Sequence, residues 1–282
     1  MTTIAWLTIR EAARRRVLWV LIGLTIVSVA VTGWGTERLA SLARAGDVPE
    51  LQIQVGVSQV LILVAFMFSF VLAMTAAFLG APAIAADLES GVALALLARP
   101  IRRADLVVGR WLGLTIVVAA YSIASGLLEI GVVGLLTGHT PPEPWIAVVF
   151  LAGQATVLLT IALLFSTRLP AIASGAICVV LYGLAWMAGV FAGIGRVFGV
   201  DVFVGVAQAS RWLFPSDGLW RGVIYGLEPP LVVFEATRAG VPAEANPFYA
   251  SAPPPTGFIA WSIVWIALVV GLAVWSLNRR EI

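Results

Sequence analysis

Side chains able to do covalent or metal chemistry are scarce in this chain of 282 residues, which has one His and one Cys. His139 lies between Gly138 and Thr140 in a short loop, and Cys178 lies inside an apolar run. One imidazole and one thiol cannot assemble a zinc site of Cys and His or a disulfide framework. Nucleophilic catalysis needs a nucleophile with a base in reach, and no Gly-x-Ser-x-Gly accompanies His139. Cys178 is expected to act as a small buried hydrophobe. All 17 basic residues are Arg, which excludes a phosphate-binding loop, because that loop needs a Lys on the β- and γ-phosphates. Any ATP hydrolysis by that route must belong to another polypeptide. A net charge of +2 with dispersed Arg gives no nucleic-acid footprint. No cofactor or metal is expected on this chain.

Two charges fall inside apolar runs, where a charge is costly. Glu129 follows Arg110 by 19 residues, about 28 Å along a helix at 1.5 Å per residue. An ionised carboxylate at that depth needs a partner. Arg196, near the outer end of another apolar run, is the candidate. The expectation is a structural ion pair between Glu129 and Arg196, with a place on a proton or substrate path, or a neutral or snorkelling carboxyl, as the alternatives for Glu129.

The elements that position these residues must be membrane helices. Hydrophobic residues make up 61% of the chain and charged residues 11%, with a mean hydropathy of +1.01, against about a quarter charged in an ordinary globular domain. The fold class is an all-α integral membrane protein. Apolar runs of about 20 residues occur at 17–34, 55–79, 112–136, 146–165, 171–197 and 258–277. Six spans put both termini on one side. The first run is too long for the apolar region of a signal peptide, and no small-x-small cleavage site follows before Thr36-Glu37-Arg38, so it reads as a retained helix. Eleven Arg flank one side (10, 14, 15, 16, 99, 102, 103, 110, 168, 279 and 280) and six lie in longer loops on the other, so the first side is cytoplasmic.

Ahead of the first span, Thr2 to Arg16 sets Ala5, Trp6, Ile9, Ala12 and Ala13 against Arg10, Glu11 and Arg14. That pattern predicts an amphipathic helix in the interface plane, or else an extension of the first span. The outer segment 201–257 carries Trp212, Phe214, Trp220 and Tyr225, which predicts short helices at or dipping into the outer interface, one of them capped by Asp217 after Pro215. Pro242, Pro247, Pro253, Pro254 and Pro255 predict an extended connector to the last span. The midplane reads as nearly all aliphatic. Gly113, Gly126, Gly131 and Gly134 in the third span, and Gly175, Gly183, Gly189 and Gly193 in the fifth, point to close helix packing.

Between spans two and three, the segment 80–110 is a cytoplasmic elbow. Val92, Ala95, Leu96, Leu106 and Val107 recur at helical spacing, while Arg99-Pro100 forces a break. A helix, a turn and a second helix are predicted. Leu96 and Leu97 beside Arg99, Arg102, Arg103 and Asp105 combine apolar anchors with charge, as a docking surface does; an anchor for lipid head groups is the alternative.

The string Glu89-x-Gly91, then Leu96-Leu97-x-x-Pro100-x-x-Arg103, then Gly109-Arg110, resembles the segment joining the second and third spans of ABC-2 type permeases, especially their six-span NosY-like branch. Ile9 to Arg16 resembles the amphipathic N-terminus of that family, and Phe214 to Arg221 resembles the Pro-x-Asp segment before its last span. Val92 stands where the family commonly has Thr, and Arg110 where it commonly has Lys. The resemblance implies a single transmembrane domain over 1–282, the permease subunit of an ATP-driven ABC exporter in a bacterial cytoplasmic (inner) membrane. Both termini are then cytoplasmic, and a second copy or a homologous permease completes the translocation pathway. It implies separate ABC ATPase subunits, which bind ATP and Mg, docking on a coupling helix that contains Glu89, Gly91, Leu96, Leu97, Arg99, Pro100, Arg102 and Arg103. On this reading the chain is not an enzyme. The rival readings are an ATP-independent channel or proton-coupled carrier using Glu129, and an intramembrane enzyme using His139.

Overall fold

The computed structural model describes residues 1–45, 49–90, 102–239, 246–250 and 252–280. Among these residues the regular structure is helical: α1 (Thr2–Arg14), α2 (Arg16–Arg44), α3 (Glu50–Gly80), α4 (Pro82–Glu89), α5 (Arg103–Thr137), α6 (Pro144–Ser166), α7 (Ala171–Phe198), α8 (Asp201–Leu213), α9 (Ser216–Leu227), α10 (Pro230–Ala239) and α11 (Thr256–Asn278). Proline punctuates the starts. Pro82 and Pro144 occupy the first turn of their helices, where no amide hydrogen is needed, and Pro49, Pro170, Pro215 and Pro255 stand at the N-caps. Gly138 and Gly199 end α5 and α7 in the left-handed conformation, with φ of 73° and 68°, which costs glycine nothing.

Among the described residues six helices are long and apolar enough to cross a bilayer: 16–42, 52–89, 103–137, 144–166, 171–198 and 256–278. The six apolar runs of the sequence lie within them, and the chain is a multi-pass membrane protein. Two of these helices are far longer than a span. The continuous stretch 52–89 has 38 residues and α5 has 35, or about 57 and 52 Å against a hydrocarbon core of ~30 Å. Asp87, Glu89, Arg103, Asp105 and Arg110 show which end projects into water, and this end is called the arginine-rich end below. Helix α1 is separate from α2, because Arg15 between them is extended (φ −72°, ψ 136°). It therefore does not extend the first span.

Helix α6 is the most enclosed span and packs against α3, α5, α7, α9 and α11. Beyond α7 the chain does not stay at the surface. Helix α8 folds back along α7, and its last carbonyls accept hydrogen bonds from two α11 indoles, Trp261 Nε1 to Trp212 O at 3.0 Å and Trp265 Nε1 to Leu213 O at 2.8 Å. Trp265 is nine residues into α11, about 14 Å from that helix's end. Helix α9 then returns to the far end along α6. Gly218, Gly222 and Gly226, spaced four apart on one face, press on the Phe258 ring, the Phe150 ring and the Glu143–Ala147 backbone. A Cβ at 226 would lie 2.7 Å from the Ala147 nitrogen. Residues 201–227 are thus a re-entrant hairpin that reaches mid-depth, deeper than the interfacial helices read from the sequence.

Its tip makes the midplane polar, contrary to the aliphatic reading. Gln154 Nε2 donates to Ser216 O at 3.3 Å, Ser69 Oγ donates to Gln154 Oε1 at 2.6 Å, and the Ser69 and Tyr182 hydroxyls bond at 2.9 Å. This chain joins α3, α6, α7 and α9. Asp217 makes no capping bond; its carboxylate is drawn to an arginine instead.

Candidate coupling site at the arginine-rich end

Three elements meet at Arg110. Helix α4 carries α3 onward past Ala81-Pro82, and the joint rests on α6, since a Cβ at Gly80 would lie 3.0 Å from both Ala162 Cβ and Leu159 Cδ1. This continuation delivers Asp87. Helix α5 begins at Arg103 and delivers Arg110 two turns later. Helix α1 crosses α5 at two glycines on one face: a Cβ at 109 would lie 2.8 Å from Ile4 Cβ, and one at 113 would lie 2.6 Å from the Ala5 carbonyl oxygen. With nothing larger than hydrogen between them, the helices touch, and Glu11 arrives beside Arg110.

The Arg110 guanidinium divides between two carboxylates. Nη2 donates to Asp87 Oδ2 at 2.7 Å, and Nη1 donates to Glu11 Oε2. Arg15 Nη2 donates to the other Glu11 oxygen at 2.6 Å. Burial alone would raise the Glu11 carboxyl, but the hydrogen bond from Arg15 and the charge of Arg110 outweigh it and hold the group below its ordinary value. Glu11 is therefore ionised at neutral pH. A planar fork can serve two acceptors on different helices at once, which a point-charge ammonium does less well. That gives a physical role to the Arg found where the family commonly has Lys.

The neighbouring arginines close helix ends. Arg103 Nη1 donates to the carbonyl oxygens of Leu277 (2.9 Å), Asn278 (3.1 Å) and Arg280 (2.8 Å). Arg168 donates to Ser276 Oγ and O at 3.0 and 2.9 Å, and Arg280 donates to Thr167 O at 2.6 Å. The last carbonyls of a helix have no partner within it and carry partial negative charge; here guanidinium groups satisfy them and tie α11 to the head of α5 and the end of α6.

Of the residues expected at the docking surface, Glu89 ends α4 and is exposed, Arg102 is exposed at the N-cap of α5, and Arg103 is turned onto α11. Gly91, Leu96, Leu97, Arg99 and Pro100 lie outside the described residues. Glu11 and Asp87 had no assigned role as partners of Arg110 in the sequence reading, because they lie 99 and 23 positions from it.

The expected pair of Glu129 with Arg196 is not formed. Glu129 is 3% exposed, and neither carboxylate oxygen has a hydrogen-bond partner. The nearest side-chain hydroxyls are Ser28 and Thr32 of α2, and the residue lines a cavity of about 30 Å³ with Leu61, Phe68, Val148 and Val223, room for roughly one water. Arg196 lies instead within electrostatic reach of Arg221, beside the re-entrant hairpin. Glu129 stands eight residues before the end of α5 and Arg196 only two before the end of α7, so the two are offset along the bundle. Cys178 is fully buried, its thiol against Leu158 O at 3.3 Å. His139 lies at the far end, its amide hydrogen on Thr137 Oγ1.

Six spans, with a braced and charged head on the two longest, define a polytopic membrane protein. A family model described as ABC-2 family transporter protein matches residues 2–282, and the chain belongs to that family. Members of the family normally work with ABC ATPase subunits. Comparison with curated proteins gives no match.

Proposed function

We propose that this chain is the permease subunit of an ATP-driven ABC exporter of the NosY-like six-span branch, in a bacterial cytoplasmic membrane. On this reading the arginine-rich end and both termini face the cytoplasm. Two permeases, either two copies or this chain with a homologue, form the pathway, and separate ATPase subunits bind ATP and Mg beneath the 80–110 elbow.

The observation that carries the proposal is the Arg110 fork. A segment that receives force must pass it to the spans without bending away, and the elbow's two arms, α4 and α5, are joined through one guanidinium, with α1 clamped on α5. Closure of the ATPase pair would carry the elbow with it, and the tied head would tilt its spans as a rigid body. Glu89, Gly91, Leu96, Leu97, Arg99, Pro100 and Arg102 form the proposed docking surface. Arg103 belongs to its frame, holding the last helix against it. The chain does no bond chemistry itself.

Copurification tests this. Expressed with its ATPase, the tagged chain is expected to retain that subunit, and Arg102→Glu combined with Leu96→Asp is expected to abolish retention while the permease still folds. Retention unaffected by both changes would remove the elbow as the docking site.

A further inference from the structure

The re-entrant hairpin holds a charge cluster that coupling does not use. Asp217, 6% exposed in the first turn of α9, packs so closely on Gly189 of α7 that any Cβ there would collide with its carboxylate. Arg211 Nε donates to Asp217 Oδ2 at 2.8 Å. Arg221 Nε stands 3.6 Å from the same oxygen, beyond hydrogen-bond reach. Arg211 Nη2 and Arg221 Nε are buried with no hydrogen-bond partner. One carboxylate thus faces two guanidinium groups, a balance of +1, and Arg196 adds to the positive field felt by Arg221. The polar neighbours Tyr182, Gln154 and Ser216 are uncharged. Glu228, at the opposite end of α9, is engaged with the Ala250 amide.

Depth makes the imbalance costly. Ser216 meets Gln154, ten residues into α6, about 15 Å from the far end of that helix. Buried guanidinium groups short of acceptors are destabilising in such surroundings. The cluster is not sealed: the Arg211 and Arg221 side chains remain 21% and 20% exposed. On the face of α8 opposite Arg211, Val202, Val206 and Leu213 are exposed, so this helix stands between the cluster and the hydrocarbon. A planar guanidinium with free N–H groups is matched by an oxyanion, and the depth of the cluster among apolar spans suits an anion attached to a hydrocarbon body.

We infer that Arg211 and Arg221 form a binding site for an oxyanion, a phosphate or carboxylate, presented at mid-depth by an amphiphile. Asp217 holds one arm of Arg211 in place and leaves Nη2, together with the Arg221 fork, for the ligand. The site lies in the membrane half away from the elbow and does not depend on ATPase docking.

The test uses the full chain in phosphatidylcholine nanodiscs, titrated with phosphatidylglycerol, with sodium phosphate, or with more phosphatidylcholine. Retained adducts are read by native mass spectrometry and the melting midpoint by tryptophan fluorescence. Phosphatidylglycerol is expected to be retained and to raise the midpoint, and Arg221→Gln and Arg211→Gln are each expected to weaken it at least tenfold. Arg221→Lys, which keeps the charge and the fold but loses the fork, is expected to weaken it several-fold. Equal stabilisation by sodium phosphate at matched concentration would keep the oxyanion site and overturn the amphiphile. Binding of neither anion, or binding that ignores all three substitutions, would overturn the site.

Discussion

Replacing Arg110 by Ala removes one guanidinium and orphans two carboxylates. The Asp87 contact is the stronger, because the two side chains are only 14% and 17% exposed, and a charge-assisted hydrogen bond of that kind contributes about 1.5–3 kcal/mol. The Glu11 side chain is 45% exposed, so solvent screening holds its share below about 1 kcal/mol. Together the loss is about 2–4 kcal/mol, localised on α1 and α4. Hydrogen exchange of the detergent-solubilised protein reads such local opening, and amides of 2–14 and 82–89 are expected to exchange roughly 30- to 800-fold faster, at 1.4 kcal/mol per tenfold. Arg110→Lys should recover one of the two contacts and fall between. A double-mutant cycle of Arg110→Ala with Asp87→Ala should give a coupling energy of about 1.5–2.5 kcal/mol. Unchanged exchange in α1 and α4, or additivity within about 0.5 kcal/mol, would refute the brace.

Arg103→Ala removes the side-chain donor to the Leu277, Asn278 and Arg280 carbonyls, of which Leu277 O keeps the Arg280 amide, and should lower the stability of the isolated chain by about 1–3 kcal/mol; stability unchanged with ATPase binding lost would return Arg103 to the docking surface. Gly113→Val drives a side chain into the Ala5 carbonyl and should displace α1 at a cost of about 1–3 kcal/mol, visible as faster exchange there, whereas Gly131→Ala, which meets open space, should cost nothing. Burial pushes the Glu228 carboxyl up from 4.5 to about 7, partly offset by the hydrogen bond from the Ala250 amide. The folded state therefore holds that proton more tightly. Its contribution to stability is complete below pH 4.5, falls as pH rises through 7 and is flat above; Trp220, whose indole bonds Pro247 O, should report a looser 246–250 segment at pH 8 than at pH 5.5, and Glu228→Gln should abolish the difference. Glu129→Leu removes a carboxylate that has no hydrogen-bond partner, so the melting midpoint should not fall; a loss above about 1 kcal/mol would reveal a partner.

The spans were legible because a helix in hydrocarbon must satisfy its backbone internally and cover it with apolar side chains, which writes a run of about 20 such residues into the chain. Helix starts were legible in proline. The hairpin was not, because α8 and α9, with 13 and 12 residues, are too short to register as spans, and α9 is buried by the protein rather than by lipid. The spacing of Gly218, Gly222 and Gly226 was its available signature. The Arg110 fork joins residues 23 and 99 positions away, a relation no local pattern contains. Glu129 and Arg196 show a second limit: sequence distance gives a residue's place along its own helix, but which neighbours its side chain meets depends on how the helices are staggered and rotated.

Helix α6 bears the elbow joint at Gly80 on one stretch and the returning arm of the hairpin at Gly222 and Gly226 on another. Both seats are made by glycine against bulk, so neither has free play. A displacement begun at the arginine-rich end would travel along a stiff rod and emerge, undamped, at the opposite end of the bundle. Softness must then be sought elsewhere, in the loosely covered outer helices, and a lengthened residue at either seat would jam the machine rather than slacken it.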